Sequence, residues 1–221
     1  HVARGDIICY LDADVVNFHC GFLSGLLGPL LKNPSLSYVK AYYQRPLMEQ
    51  DIILPDSGGR VSEILVRPLI SMFYPELVDV IQPLAGEYAA RRELLEQLAY
   101  PVGYGVEIAH LIDLAAMGKL DHFGQTDLSC RVHRNRDDGE LGDAAYTILQ
   151  VILRRLQRDG KINLNGCHGN THHRWLMGTD GLRKISKSLP EPERPPIQSW
   201  LMQHDKSLCV KAAVEDARSH L

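Results

Sequence analysis

The stretch that decides the fold is Asp6-Ile7-Ile8-Cys9-Tyr10-Leu11-Asp12-Ala13-Asp14, in which an apolar run ends at two carboxylates. A short apolar run of this kind predicts a buried strand, and open α/β sheets bind their ligands at the carboxyl ends of their strands. On an extended backbone Asp12 and Asp14 point to the same side, where two negative charges repel unless a cation or a proton lies between them. We therefore expect a divalent ion with oxygen ligands beside this pair, because Mg²⁺ commonly bridges carboxylates to substrate phosphates.

The spacing of the two aspartates allows three interpretations. An Asp-x-Asp pair occurs by chance in ordinary loops. It is also typical of metal-dependent nucleotide-sugar glycosyltransferases. In haloacid-dehalogenase-type phosphatases the first Asp would instead be phosphorylated and the second would act as acid and base. That chemistry needs a Lys and a further acidic pair, and Asp137-Asp138 follows a polar loop rather than an apolar strand, which disfavours the phosphatase.

Composition narrows the functional class. The chain has 221 residues, of which 45% are hydrophobic and 23% charged, and its net charge is -3. These values are ordinary for a soluble α/β protein and argue against general nucleic-acid binding. Gly25, Gly28 and Pro29 interrupt the most apolar stretch, so no run approaches the roughly 18 apolar residues of a membrane span. The five cysteines form no C-x-x-C pair, which favours a reducing cytoplasm over a disulfide framework.

The position of the aspartate pair suggests how the chain is organised. The sequence opens with His1 and reaches the first predicted strand almost at once. If the pair belongs to a nucleotide-sugar enzyme, the first part of its nucleotide-binding sheet is absent, and we expect a fragment. We divide the chain into residues 1–160, an incomplete α/β domain, and residues 161–221, a loop-rich C-terminal extension.

Hydrophobic periodicity predicts the local structure. Apolar residues at three-and-four spacing predict a helix at 17–31, and the aromatic run 37–43 predicts the next strand. A strand, a helix and a strand of these lengths suggest a right-handed parallel crossover. Further elements are predicted as helices at 89–98, 106–117 and 140–159, and as one or two strands within 119–132.

Several other residues are candidates for binding, each with a structural alternative. Glycines before Arg60 leave backbone N–H groups free to meet an anion, and Arg60 adds a planar fork suited to phosphate. A plain helix start with Ser62 near the cap explains the same residues equally well. Glu107 suits the positive end of a helix dipole. His133, at a predicted strand end, is either a metal ligand or a structural histidine.

Five stretches in the same order and at similar spacing resemble the glucosyl-3-phosphoglycerate synthase family. They are Asp12-Ala13-Asp14-Val15-Val16-Asn17-Phe18, Gly58-Gly59-Arg60-Val61-Ser62-Glu63, Gln82-Pro83-Leu84-Ala85-Gly86-Glu87-Tyr88, Pro101-Val102-Gly103-Tyr104-Gly105-Val106-Glu107 and Arg131-Val132-His133-Arg134-Asn135. The resemblance covers about residues 5–157. It implies the C-terminal portion of a GT-A (Rossmann-like) fold, with a mixed sheet flanked by helices. It also implies transfer of glucose from UDP-glucose to 3-phosphoglycerate, with retention, in a cytoplasmic homodimer.

The resemblance also implies roles for individual residues. Asp14 and His133 are the implied ligands of a Mg²⁺ or Mn²⁺ ion. The implied donor-binding residues are Asp12, Ala13, Asp14, Leu84, Tyr104, Glu107 and Arg131. The implied acceptor-binding residues are Gly59, Arg60, Ser62 and Asn135, with Ser62 where the family has Thr. The implied catalytic residues are Asp14, Glu107 and Leu84.

Three alternatives remain open beside this assignment. A synthase with a mannose donor is the first alternative, because the upstream half that holds most of the contacts to the base is missing and the donor base and sugar depend on it. A truncated domain that only interacts with partners is the second alternative. The phosphatase is the third and the least favoured.

Overall fold

The structure, a computed structural model, describes residues 3–49, 52–54, 59–132, 137–166, 169–179 and 181–204. The strands in these ranges are β1 (Ile7–Tyr10), β2 (Tyr38–Gln44), β3 (Leu47–Glu49), β4 (Ile52–Leu54), β5 (Tyr88–Arg91), β6 (Tyr100–Pro101), β7 (Phe123–Cys130), β8 (Thr171–Gly178), β9 (Gly181–Ser188) and β10 (Glu193–Arg194). The helices are α1 (Cys20–Lys32), α2 (Arg67–Phe73), α3 (Arg92–Leu95), α4 (Val106–Ala116), α5 (Asp138–Arg158) and α6 (Ile197–His204). A π-helical segment, Ser62–Val66, leads into α2.

The largest sheet in the described chain is mixed and has four strands. Its order is β1-β5-β2-β7. Strand β5 is antiparallel to both β1 and β2, and β2 is parallel to β7. Strands β1 and β2 therefore run in the same direction, as the strand–helix–strand pattern predicts, but β5 is inserted between them.

The side chains of β2 explain why helices cover both faces of this sheet. Successive residues of a strand point to opposite faces. Val39 and Ala41 join a core with Phe22 and Leu26 of α1, whereas Tyr38 packs on the other face in a cluster that includes Leu114 of α4. A third cluster joins α2, α4 and α5. The predicted mixed sheet flanked by helices is confirmed.

The predicted helix at 89–98 is wrong in its first part. Tyr88–Arg91 is a strand with backbone pairing on both sides, and the helix α3 occupies only Arg92–Leu95. Ala89 and Ala90 are 0% exposed. Alanine favours helices in isolation, but here the burial of a central strand between two partners outweighs that local preference. The predicted helices at 17–31, 106–117 and 140–159 correspond to α1, α4 and α5.

The C-terminal extension contains more structure than the predicted loops. Strands β8 and β9 form a regular antiparallel hairpin in which Thr171 pairs with Ser188 and Gly178 with Gly181. Gly181 has a φ of 100°, a value that favours glycine at the tight turn. Residues 171–178 are four polar residues followed by three apolar ones and a glycine, so the alternation that is typical of strands is missing there and the sequence did not predict the hairpin. Within the described residues, no helix is both long enough and apolar enough to cross a membrane.

Candidate active site

The candidate site lies at the edge of the sheet where β1, β2 and β7 end. Asp12 and Asp14 follow β1, Arg45 follows β2, and Arg131 follows β7. Glu87 reaches the same edge because it directly precedes β5, which runs in the opposite direction. Chains leaving neighbouring parallel strands bring their side chains together at such an edge, which is where open α/β sheets bind ligands.

A bulge at the end of β7 directs Arg131 into this edge. The pairing of β2 with β7 shifts register between Tyr42 and Gln44. Ser129, opposite this shift, has a φ of 66°, and its N–H donates to Asp127 Oδ1 at 2.7 Å. The Arg131 N–H then donates to the Gln44 carbonyl at 3.0 Å. Bulges commonly re-aim a side chain beside an active site.

Arg131 holds three carboxylates together. Its Nη2 lies 2.8 Å from Asp12 Oδ2 and 3.0 Å from Asp14 Oδ1, and its Nε lies 2.8 Å from Glu87 Oε1. The side chains of Arg131 and Glu87 are 4% and 0% exposed, whereas those of Asp12 and Asp14 are 42% and 47% exposed. A buried charge is stable only when it is paired, so Arg131 and Glu87 depend on each other. The cation that the two aspartates require is thus partly supplied by the protein itself.

Tyr43 extends this network toward Arg45. The Tyr43 hydroxyl donates to Glu87 Oε2 at 2.5 Å and accepts from Arg45 Nη2 at 2.8 Å. Burial raises the pKa of Tyr43 well above its ordinary value, so the phenol stays neutral and donates at neutral pH. The guanidinium carbons of Arg45 and Arg131 lie 5.0 Å and 5.6 Å from the centre of the Tyr43 ring.

Lys40 and Glu107 are two oppositely charged side chains that interact electrostatically on the other face of the sheet. Lys40 is 1% exposed and its Nζ donates to the Ala85 carbonyl at 2.6 Å. Burial lowers the pKa of Lys40 to about 8, a shift that the negative charges of Glu107 and Glu87 oppose. Burial raises the pKa of Glu107 to about 7, and the positive charge of Lys40 limits that rise. Glu107 therefore changes its charge near neutral pH.

The smaller of two clefts at this edge has a volume of about 320 Å³ and contains both Asp12 and Glu107. Its other lining residues are Tyr10, Leu11, Gly86, Tyr88, Tyr100, Pro101, Val102, Gly103, Val106 and Arg194. A Cβ atom at position 86 would lie 2.3 Å from Asp12 Oδ1. The absence of a side chain at Gly86 is what allows the Asp12 carboxylate to occupy its position.

The larger cleft has a volume of about 700 Å³ and contains two of the predicted acceptor residues, Gly59 and Ser62. Arg45 and Tyr43 line it from the side of the sheet. Gly59 has a φ of 84°, which favours glycine. The Tyr43 and Arg45 contacts therefore connect this cleft with the Arg131 network.

The remaining predicted residues lie at several places. Arg60 Nη1 pairs with Asp138 Oδ1 at 2.6 Å, at the start of α5. The Leu84 side chain packs against the helical core of α2, α4 and α5, and Tyr104 is 48% exposed before α4. Ala13 lies between the two aspartates. His133 and Asn135 lie outside the described residues.

Sequence reasoning missed Lys40, Tyr43 and Arg45, and it quoted Glu87 without giving it a role. Lys40 carries the clearest signal, because it is the one charged residue in the otherwise apolar and aromatic run Tyr38–Tyr43. Burying an ammonium group is costly unless other charges compensate it. A lysine at such a position therefore indicates a nearby carboxylate, although the sequence does not say which one.

The donor atoms at the edge suit a divalent ion. One oxygen of each of Asp12 and Asp14 is engaged by Arg131, and both carboxylates are half-exposed at the cleft. Carboxylate oxygens are the ligands that Mg²⁺ and Mn²⁺ prefer. Among the described residues no group of three or more His, Cys, Asp or Glu side chains is close enough to hold a metal.

Comparisons with known proteins bear on this site. No family model matches the chain. Glucosyl-3-phosphoglycerate synthase of Petrotoga mobilis is 50% identical over 193 residues, which are 87% of this chain and 59% of that protein. The Mycobacterium tuberculosis enzyme of the same name, from strain H37Rv, is 44% identical over 154 residues, 68% of this chain and 48% of that protein. The chain thus spans about half the length of the relatives it matches.

The same relationship appears in the fold. The crystal structure of the M. tuberculosis enzyme with Mn²⁺, UDP and glucosyl-3-phosphoglycerate has a TM-score of 0.75 and 35% identity, over 90% of this chain and 62% of that one. Its complex with Mn²⁺, UDP-glucose and phosphoglyceric acid has a TM-score of 0.74 over the same shares. In sequence and in its GT-A fold, the chain is a homologue of the glucosyl-3-phosphoglycerate synthases.

Proposed function

We propose that the natural protein is a retaining glucosyltransferase that moves glucose from UDP-glucose to 3-phosphoglycerate, giving glucosyl-3-phosphoglycerate. The observation that carries the proposal is the arrangement around Arg131. The smaller cleft contains Asp12 and Glu107, and the larger cleft contains Arg45 and Ser62 beside Glu63 and Asp127. Arg131 pairs with Asp12 of the first cleft, and its guanidinium carbon lies 5.6 Å from the ring centre of Tyr43 of the second. Such a pair suits a sugar with free hydroxyls in the first cleft and an anionic acceptor in the second. The relatives bound to UDP-glucose and phosphoglyceric acid support the same substrates.

The donor would lie along Asp12, Glu107 and Arg131. Carboxylates of Asp12 and Glu107 would accept hydrogen bonds from sugar hydroxyls, and Arg131, which pairs with Asp12 and Asp14, would add positive charge near the diphosphate. Asp14 and His133 would hold the Mg²⁺ or Mn²⁺ ion, which supplies charge neutralisation of the departing nucleoside diphosphate. Because that leaving group is stabilised in place, its own oxygen can accept the proton of the acceptor hydroxyl.

The acceptor would lie in the larger cleft. Gly59 and Ser62 line this cleft and, with Arg60 beside them in sequence, would meet its phosphate; the resemblance adds Asn135 to this set. Arg45, which also lines this cleft, would add a second guanidinium for the carboxylate. An acceptor with two anionic groups is then held at both ends, which orients its hydroxyl toward the sugar.

Retention is proposed through attack on the same face from which the leaving group departs. A double displacement would require a carboxylate nucleophile within bonding distance of the anomeric carbon. Glu107 is the carboxylate that could take that role, but we assign it to the sugar hydroxyls. Mass spectrometry of a quenched reaction tests this assignment, and a covalent glucosyl adduct on Glu107 would overturn it.

The function is tested by mixing the complete natural protein with 3-phosphoglycerate and either UDP-glucose or GDP-mannose. Release of UDP is expected only with UDP-glucose, only with the acceptor present, and is expected to stop when the metal is removed with EDTA. Release of GDP would favour the mannose-donor alternative. Hydrolysis of simple phosphate esters would favour the phosphatase. A complete protein without any of these activities would favour the non-catalytic alternative.

Replacing Arg60 with alanine is expected to raise the KM for 3-phosphoglycerate by about 10-fold to 100-fold, the worth of one charge-assisted hydrogen bond to a phosphate. The KM for UDP-glucose is expected to stay within about twofold. Steady-state kinetics with each substrate varied in turn separates the two values. Asp138→Asn is the matched control, because it removes the carboxylate that pairs with Arg60 and leaves the guanidinium, so acceptor KM should not rise. Weakened UDP-glucose binding in Arg60→Ala would contradict the role of this residue.

Replacing Gly86 with alanine is expected to weaken UDP-glucose binding by about tenfold or more, because the new Cβ displaces the Asp12 carboxylate. The free energy of unfolding should fall by about 1–3 kcal/mol, as for other overpacked positions. Gly28→Ala is the control, since nothing lies within 4 Å of a Cβ there, inside α1. The free energy of unfolding of Gly28→Ala should rise by about 0.5–1 kcal/mol, and its affinity for UDP-glucose should not change. Equal donor affinity for the two variants would contradict the proposed placement of Asp12.

A further inference from the structure

The C-terminal strap, residues 190–194, crosses the rim of the smaller cleft. Glu193 pairs with Pro101 and Arg194 with Tyr100 in a short antiparallel ladder between β10 and β6. The Val102 N–H donates to the Pro192 carbonyl at 3.0 Å. The strap therefore continues the wall of the cleft that contains Asp12 and Glu107, although it follows them by more than eighty positions in the sequence.

Glu191 seals the strap against the loop before α4. Its carboxylate accepts from the Gly103 N–H at 2.7 Å, and a Cβ at position 103 would lie 2.2 Å from Oε2. The strap thus takes the space that any side chain at 103 would need. Glu191 is 4% exposed, so this contact lies in the interior of the wall.

Helix α5 fixes the strap from behind. Arg154 Nη1 donates to the Glu191 carbonyl at 2.5 Å, and Arg155 Nη1 donates to Glu193 Oε2 at 2.5 Å. Arg155 Nη2 also pairs with Asp113 of α4 at 2.9 Å. A segment held by buried ion pairs has a defined backbone position, so the residue whose side chain it presents to the cleft starts from a fixed point.

That side chain is Arg194, which lines the cleft together with Asp12 and Glu107. Among the described residues, no carboxylate lies within ion-pairing distance of its guanidinium. The cleft therefore contains carboxylate acceptors, Asp12 and Glu107, and a guanidinium donor, Arg194. A hexose carries hydroxyl groups that donate to the first and accept from the second.

We propose that Arg194 is a donor-binding residue that contacts the hexose unit of the nucleotide sugar. The strap delivers Arg194 to the cleft from the C-terminal extension. This assignment rests on the proposed function, because it takes the smaller cleft to be the sugar site. It gives residues 190–194 a part in recognising the donor, and it makes the extension necessary for full donor affinity.

Calorimetry on the complete natural protein tests the assignment with two ligands, UDP-glucose and UDP, both in the presence of Mg²⁺. Arg194→Met is expected to weaken UDP-glucose binding by about tenfold or more and to leave UDP binding unchanged, because UDP lacks the hexose. Arg194→Lys, which keeps the charge and the aliphatic stem, should give a smaller loss and guards against a folding defect in the first variant. Arg183→Met, on the exposed strand β9 of the same extension, should change neither affinity.

Each other outcome has a defined meaning. Unchanged UDP-glucose affinity in both Arg194 variants would overturn the assignment, and so would equal weakening of UDP-glucose and UDP, since a general disturbance of the fold or a contact to the nucleotide would cause it. Unaltered protein that binds neither ligand would overturn the proposed function, and the assignment with it. If the Arg194 variants lose affinity for UDP-glucose but keep their affinity for UDP, the lost contact is one to the sugar.

Discussion

Replacing Arg131 with methionine is expected to lower the free energy of unfolding by about 3–5 kcal/mol, the usual cost of removing one partner of a buried ion pair. Glu87 is 0% exposed and would keep its charge in the interior without the guanidinium that lies 2.8 Å away. Asp12 and Asp14 would at the same time lose the positive charge between them. The edge of the sheet would then contain three carboxylates without the guanidinium that pairs with all of them.

Urea denaturation followed by circular dichroism measures this loss. The control is Arg183→Met, at an exposed position of β9, which should change the free energy of unfolding by no more than about 0.5 kcal/mol. Adding Glu87→Gln to the Arg131→Met variant removes the buried charge that was left unpaired, so the double variant should be more stable than Arg131→Met alone. A loss below about 1 kcal/mol, or no recovery in the double variant, would contradict the interdependence of Arg131 and Glu87.

Replacing Glu107 with glutamine is expected to lower kcat/KM for UDP-glucose by about 10-fold to 100-fold, because a charged acceptor of sugar hydroxyl bonds becomes a neutral one. The exposed Glu93 of α3 offers the matched control, and Glu93→Gln should leave kcat/KM unchanged. Initial rates of UDP release at low donor concentration measure both variants. An equal loss in the two variants, or no loss in Glu107→Gln, would contradict the role of Glu107.

The pH dependence supplies a second measurement on the same residue. Burial raises the pKa of Glu107 to about 7, and the ionised form is the one that accepts from two hydroxyls. The kcat/KM for UDP-glucose should therefore fall as the pH drops through about 7 and should level off above it, since this profile reports the free enzyme. Lys40→Met removes a positive charge that favours the carboxylate, so the acidic limb should move to higher pH. A shift to lower pH would contradict the coupling between Lys40 and Glu107.

Glu107 also has a consequence for stability. Its pKa is raised in the folded state above the ordinary value of 4.5. The folded protein therefore gains from its protonation below about pH 4.5, and this contribution is lost as the pH rises through about 7. Glu107→Gln removes the charge, so at pH 8 the variant should be more stable than the unaltered protein. Functional sites commonly contain residues that lower the stability of the fold but are needed for binding or catalysis. Glu107, which would bind the donor and lowers stability above neutral pH, is expected to be one of them.

The local sequence pattern was sufficient to predict the long helices of this chain and its first strand. The helices α1, α4 and α5 follow from apolar residues at three-and-four spacing, and β1 follows from its apolar run before Asp12. The β5 strand did not follow, because Tyr88-Ala89-Ala90-Arg91 becomes a strand only through its two neighbours. The hairpin of β8 and β9 did not follow either, because its first strand has four polar residues and then three apolar ones instead of an alternation.

The site shows the same division more sharply. The sequence by itself determined which residue types are present: an Asp-x-Asp pair after a buried strand, a glycine-rich helix start, and motifs shared with one family of glycosyltransferases. Only the tertiary structure decided that Arg131 meets Asp12, Asp14 and Glu87, and that Arg194 enters the same cleft as Glu107. The reason is physical: composition and periodicity act over a few residues, whereas the pairing of a buried charge is settled by whichever distant segment the folded backbone brings within about 3 Å.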